Sequence, residues 1–369
     1  MRSIPSLAFA VALTISALTL VGVRSEPVPE REFDGFNVIV AQDHPFGGKS
    51  AELALTKAKA LGASAIAVIP FLWQSSPATP DIIRGKDMTD AELRIAIHDA
   101  HALGLAVIVK PHVWVPQSWA GTVAMNTEQA WTAWFANYQR ELERIARIAE
   151  EERAEMISIG TELDGTTERA EWNTLIGSMR GLYSGRLLYV AHNVEGAEKV
   201  PFWDRLDFIG VSLYPPLGRD DDRVYRLSAM RAVADHLDAL AARTNKSIVV
   251  GEIGLRSAEG AAAKPWESAE ERDAAPDPWL QANVLADWLT VLDRPAIKGV
   301  LIWRWLTDPD AGGSTDTDFT VGQTGRTRFD VRVETALRTG RGRLAVTLIE
   351  FSADPDQNWC QRPRINPFS

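Results

Sequence analysis

Met156-Ile157-Ser158-Ile159-Gly160-Thr161-Glu162-Leu163 is an apolar run broken only by small residues, and it ends in a carboxylate. Ile248-Val249-Val250-Gly251-Glu252-Ile253-Gly254 has the same design further along the chain. Both runs are short, continuous rather than alternating, and rich in β-branched side chains, as in parallel strands buried on both faces. Six more runs of this kind occupy residues 36–41, 65–72, 105–111, 187–191, 208–213 and 300–303. Amphipathic helical patterns separate them at residues 50–61, 89–103, 127–151, 170–182, 225–242 and 279–292, several closed by glycine (Gly62, Gly104). Strand and helix in alternation predict an α/β chain folded as a (β/α)8 TIM barrel in a single domain. An open doubly wound sheet is the competing topology, and no Gly-rich phosphate fingerprint follows the first strand to support it.

A carboxylate at the end of a core strand carries a desolvation cost that packing does not repay. In a barrel, Glu162 and Glu252 both reach the C-terminal mouth, where barrel enzymes keep their reacting groups. Such a pair fits the cleavage of a glycosidic bond. Carboxyls ~5–5.5 Å apart allow one to attack the anomeric carbon with retention, and ~6.5–9.5 Å leaves room for an attacking water and inversion. Spacing alone does not divide the roles. Structural readings stand beside this one: Glu162 as a helix cap, and Glu252 as a buried salt-bridge partner of Lys110 or Arg256.

Other groups fall at strand ends. Lys110-Pro111-His112 closes the third strand, His192-Asn193 the fifth, Tyr214 follows the sixth and Trp303-Arg304-Trp305 ends the eighth. Amide, imidazole and ammonium groups suit sugar hydroxyls, and flat aromatic faces suit pyranose C–H faces. His98, His101 and His112 lack the spacing of a zinc site, and Asp308, Asp310, Asp316 and Asp318 lack that of an EF-hand calcium loop. No metal and no cofactor is expected. No Gly-x-Ser-x-Gly elbow supports a serine hydrolase.

Composition narrows the partners. A net charge of −10 and no basic stripe argue against nucleic acid and are compatible with a neutral substrate, which for the glutamate pair would be an oligo- or polysaccharide. Residues 1–25 read as a signal peptide: Arg2, an apolar run to Val21, then a cut site near Val23-Arg24-Ser25. The expected location is periplasmic or extracellular without stable membrane insertion, and an uncleaved N-terminal anchor is the rival reading. Cys360 is the only cysteine, so no internal disulfide forms. The barrel is expected over residues 26–321. Residues 322–369 hold eight Arg and no Lys and form an irregular extension in which residues 331–337 and 344–351 fit helix or strand equally; it is either an accessory segment, or the product of a shifted frame or a poorly ordered extension.

With these residues in place, the chain resembles glycoside hydrolase family 113, a branch of a large retaining (β/α)8 clan whose characterised members are endo-β-1,4-mannanases. The resemblance runs through Leu103-Gly104-Leu105, Lys110-Pro111-His112-Val113, Ile159-Gly160-Thr161-Glu162-Leu163, residues 200–211, Gly251-Glu252-Ile253-Gly254-Leu255-Arg256-Ser257 and Thr315-Asp316-Thr317-Asp318-Phe319. It implies Glu162 as acid/base, Glu252 as nucleophile and Trp303 as the platform under the central sugar. Trp73, Trp114, His192, Asn193 and Tyr214 are the implied lining residues, and Lys110, His112 and Thr161 join them as substrate-binding candidates from their places at strand ends. Much of the clan carries Asn before the acid/base, and here that position is Thr161. The expectation is a retaining glycoside hydrolase acting on a β-mannan-type or related β-linked hexose polymer. The alternatives are a catalytically inactive barrel that binds carbohydrate at the cell envelope, and a structural envelope protein.

Overall fold

The computed structural model describes residues 31–322 and the backbone of two later strands, Arg332–Thr335 and Leu344–Thr347. Eight parallel strands close into a barrel: β1 (Gly35–Ile39), β2 (Ala65–Val68), β3 (Ala106–Val109), β4 (Met156–Thr161), β5 (Arg186–His192), β6 (Phe208–Leu213), β7 (Ile248–Gly254) and β8 (Ile297–Leu306). Each pairs with its sequence neighbours, and β8 returns to β1 with Gly35 opposite Leu301.

Side chains alternate across a strand, so each run divides between two cores. Ala65, Ala67, Ile108, Met156, Leu188, Val190, Val249 and Leu301 fill the lumen, with Phe33 closing its lower end. The opposite parity, including Ile66, Val68, Val107, Val109, Ile157, Ile159, Tyr189, Val250 and Ile302, meets the outer helices. The barrel is a plugged core rather than a pore.

The helices are α1 (Lys49–Ala60), α2 (Asp90–Ala102), α3 (Glu128–Glu151), α4 (Glu171–Leu182), α5 (Asn193–Ala197), α6 (Arg223–Thr244) and α7 (Pro278–Val291). Their starts follow capping chemistry. Thr89 and Glu92 form a reciprocal capping box on α2, Thr127 caps α3, and Asp277 caps α7 with Pro278 at its first turn. The apolar stripe of α3 buries Trp131, Trp134, Tyr138, Leu142 and Ile145. Trp134 stacks on Tyr138 at 5.0 Å, and the Tyr138 hydroxyl donates to the Ile159 carbonyl at 2.9 Å, fixing α3 against β4.

Two features depart from the sequence reading. No helical pattern is read between the fifth and sixth runs, and there the chain makes the five-residue α5 directly off β5. Above β2 and β3, Phe71–Trp73 lies in a small sheet between Ile83–Arg84 and His112–Trp114, with Trp73 in register with Trp114. In the extension, Arg332–Thr335 pairs antiparallel with Leu344–Thr347, so those two segments are strands. The segment assigned as signal peptide and the remainder of 322–369 lie outside the described residues. No helix among the described residues is long and apolar enough to cross a membrane.

Candidate active site

Above the apolar plug, the inward parity of the strands turns polar. Asn37 on β1, Lys110 just past β3, His192 on β5, Ser212 on β6 and Trp303 on β8 continue the lumen rows begun by Ile108, Val190 and Leu301. Glu252 would miss that row by strict alternation from Val249. A register shift between Val250 and Glu252 against β6 corrects this and sets Glu252 opposite Ser212. An inserted residue that re-aims a side chain is the usual effect of a bulge near a functional site. Glu162 reaches the same place differently. The β4–β5 pairing slips between Ser158 and Thr161, and Glu162 then turns through φ +54° while its N–H donates to the Val190 carbonyl at 2.7 Å. Left-handed backbone at a non-glycine residue costs on the order of 1–3 kcal/mol and survives where the surroundings impose it. Gly160 permits that approach, because a Cβ there would come within 2.8 Å of the Tyr189 ring.

The two carboxylates have different company. Lys110 forms a buried ion pair with Glu252 Oε1, their side chains 1% and 5% exposed, and the Tyr214 hydroxyl donates to Glu252 Oε2 at 3.0 Å. Arg256, the other cation considered for Glu252, instead binds the Thr317 and Ser268 carbonyls and approaches Glu267. Glu162 Oε1 receives the Ser212 hydroxyl and lies 2.9 Å from His192 Nδ1. Ser212 links the two carboxylates, its hydroxyl donating to Glu162 while its backbone lies opposite Glu252.

Burial alone would push the Glu162 carboxyl up. The hydrogen bond and charge of His192, the nearby His112 and the Ser212 hydroxyl outweigh it and hold Glu162 below the ordinary carboxylate range. His192 shows the mirror image: burial works downward, and the Glu162 carboxylate, with Asp164 and Glu252 beyond it, raises the imidazole above its usual value. Burial pushes the His112 imidazole down, and burial with the two carboxylate charges raises the Tyr214 phenol. Glu162 and His192 therefore form a unit that holds a transferable proton, while Glu252 has a fixed cation and a phenol as partners.

Aromatic rings frame the pocket on two sides. From Trp303 a row runs outward through His112 (6.4 Å), Phe71 (5.9 Å), Trp114 (6.1 Å) and Trp73 (6.1 Å between ring centres). Trp73 and Trp114 are 42% and 48% exposed, so their faces are free at the mouth. On the far side, Trp119 lies 4.7 Å from the His192 ring and is also exposed. Thr161 is buried and donates its hydroxyl to the Pro111 carbonyl at 3.2 Å, so that hydrogen is turned into the protein. Asn193, in left-handed conformation at φ +52°, has both ends of its amide engaged by His192 and Tyr214.

Ser212, Trp119, Phe71 and Asn37 escaped the sequence reading. Ser212 could have been found from parity, two residues before Tyr214 on a strand whose inward row is 208, 210 and 212. Trp119 sits in an irregular loop without a periodic signal. Of the histidines weighed as metal ligands, His98 contacts Asp99 at 3.2 Å and His101 contacts Glu155 at 3.1 Å, both away from the mouth.

A closed (β/α)8 barrel with two carboxylates and an aromatic row at its C-terminal mouth defines the class of barrel glycoside hydrolases. The sequence profile of Glycoside Hydrolase Family 113 matches residues 37–323, and the chain belongs to that family. It is accordingly a glycoside hydrolase. Among solved structures it is similar to the GH113 β-mannanase AaManA from Alicyclobacillus acidocaldarius in complex with ManMIm. That match has 24% identity, a TM-score of 0.70, and covers 81% of this chain and 96% of that one. A second GH113 β-1,4-mannanase structure matches at 24% identity and TM-score 0.71, over 80% and 96% of the two chains. The β-glucuronidase of Ruminococcus gnavus shares the fold more distantly, with 14% identity and TM-score 0.53 over 79% of this chain and 47% of that one. A comparison with curated proteins finds no significant match.

Proposed function

We propose that the protein is a retaining β-glycosidase that cleaves a β-mannan-type polysaccharide, with Glu252 as nucleophile and Glu162 as acid/base. The observation that carries the division of roles is the partner set of each carboxylate. Glu252 is held by a buried ammonium and a phenol donor, fixed partners that orient its oxygens and suit an attacking carboxylate. Glu162 faces an imidazole with which it can exchange a proton.

In the first step a Glu252 oxygen bonds to the anomeric carbon as the glycosidic C–O bond breaks, and the Glu162 proton passes to the departing oxygen. In the second, Glu162 takes a proton from water as that water attacks the anomeric carbon, and Glu252 leaves as a carboxylate. Two inversions restore the starting configuration. The choice of a mannan is supported by family membership and by the β-mannanase descriptions of the similar structures. A polymer rather than a small glycoside is supported by the aromatic row, which runs well beyond one sugar ring. Export belongs to the same reading, because the N-terminal segment has signal-peptide character and an extended polysaccharide is met outside the cytoplasm.

The test is an assay of the purified protein on β-1,4-mannan, glucomannan and β-1,3- and β-1,4-glucans beside Glu162→Gln and Glu252→Gln. The expected result is turnover of the mannose-containing polymers and a loss above about 100-fold in both variants, within the range that acid–base groups contribute. Binding without turnover, or variants that retain full activity, would overturn the proposal.

A further inference from the structure

The Glu162–His192 pair is continued by an amide whose orientation is fixed. Asn193 Oδ1 accepts the Tyr214 backbone N–H at 2.8 Å, and a backbone N–H has no alternative role. The carboxamide therefore presents its NH2 to His192 Nε2, 3.0 Å away. A proton on Nε2 would set N–H against N–H. His192 is thus best satisfied with Nε2 as acceptor and its own proton on Nδ1, pointing at Glu162 Oε1. That oxygen also receives the Ser212 hydroxyl, which leaves Oε2 as the position for a further proton.

We infer that Asn193 is a positioning residue that decides where the pair's catalytic proton resides: by holding Nε2 unprotonated it sends that proton to Glu162 Oε2. The inference rests on the proposed acid/base role of Glu162. The pair with its extra proton has two arrangements, imidazolium with carboxylate, or Nδ1–H imidazole with carboxylic acid. Only the second can protonate a leaving oxygen. Other groups weigh on the balance. Glu162, Asp164 and Glu252 face His192 and favour the imidazolium. His112 faces Glu162 and Lys199 faces Asp164. The Asn193 amide opposes the imidazolium, and its effect strengthens when a sugar displaces water and an ion pair becomes costlier.

The experiment replaces Asn193 with Asp, which keeps an acceptor for Tyr214, tolerates left-handed backbone and offers Nε2–H a carboxylate. Asn193→Gly, which keeps the backbone freedom and removes the amide, controls for packing. Activity is measured on aryl β-mannosides with poor and with good leaving groups across pH. The His192 imidazole is followed by 15N NMR and identified by its loss in His192→Gln. With Asn193→Asp, kcat/KM is expected to fall about 10–100-fold for poor leaving groups and little for dinitrophenyl glycosides, part of the general-acid contribution. Its alkaline limb and the His192 titration both move to higher pH. Asn193→Gly should show a smaller loss in the same direction. Equal losses for all leaving groups, or an unmoved His192 titration, would overturn the inference. If Glu162→Gln itself shows no leaving-group dependence, the acid/base assignment fails, while the NMR arm still tests the contact between Asn193 and His192.

Discussion

Lys110 and Glu252 are almost wholly removed from solvent, so each depends on the other for the charge it carries. Replacing Lys110 with Met strands a buried carboxylate and should destabilise the fold by ~3–5 kcal/mol. Urea unfolding would read this as a lower midpoint at unchanged slope. Tyr214→Phe removes one donor from the other Glu252 oxygen and is expected to lower kcat about 10-fold, near the ~1.5 kcal/mol of a hydrogen bond to a charge. Steady-state kinetics checks this, and an unchanged kcat would remove Tyr214 from the machinery. At this scale Lys110, His192 and both glutamates were legible, because a polar residue closing an apolar run is a pattern. The engagement of Asn193 with His192 and Tyr214, and of Thr161 with Pro111, was not. Those contacts depend on rotamers and on left-handed turns, and a one-dimensional pattern contains neither.

Strands and helices were read from periodicity, and the eight runs and six amphipathic patterns fall on β1 to β8 and on six of the seven helices. The bulges were hidden. A single extra residue between Val250 and Glu252 reverses which side chains face the lumen, and Val249-Val250-Gly251-Glu252 gives no sign of it. The small sheet over the mouth was hidden too, since Phe71–Trp73 and His112–Trp114 read as tails of the preceding strands. Two predictions belong to elements. Trp134 is fully buried on α3 and donates its indole N–H to Gln74 at 2.9 Å, so Trp134→Ala should cost ~3–5 kcal/mol by leaving a cavity. Chemical denaturation measures that loss, and a cost below ~1 kcal/mol would mean that α3 repacks freely. Trp73→Ala combined with Trp114→Ala should leave folding intact and raise KM for long mannans more than for short oligosaccharides. Equal effects on both would deny the row its role as a platform.

For the whole molecule, the outcome is a plugged barrel whose polarity is graded along its axis, apolar at the base and ionisable at the mouth. Fold class was legible throughout residues 31–322, because continuous apolar runs and intervening helices admit few topologies. The pairing of Arg332–Thr335 with Leu344–Thr347 was not, because those segments fit helix and strand periods equally. One pH prediction belongs here. Burial works against it, but the Glu162 carboxylate raises His192, so the Glu162–His192 pair keeps its shared proton in the folded enzyme to a pH above the ordinary imidazole value of about 6.5 and loses it as pH rises further. Since acid catalysis draws on that proton, kcat/KM should hold past about 6.5 and fall on the alkaline side. His192→Gln should abolish this limb, and a limb unchanged by that substitution would assign it elsewhere. The central claim, that Glu252 attacks while Glu162 supplies the proton, is tested most directly by trapping with 2-deoxy-2-fluoro-β-mannosyl fluoride. Peptide mass spectrometry of the trapped enzyme should place one fluorosugar on Glu252 within residues 248–254. A fluorosugar on another residue, or turnover with inverted product and no adduct, would contradict the account.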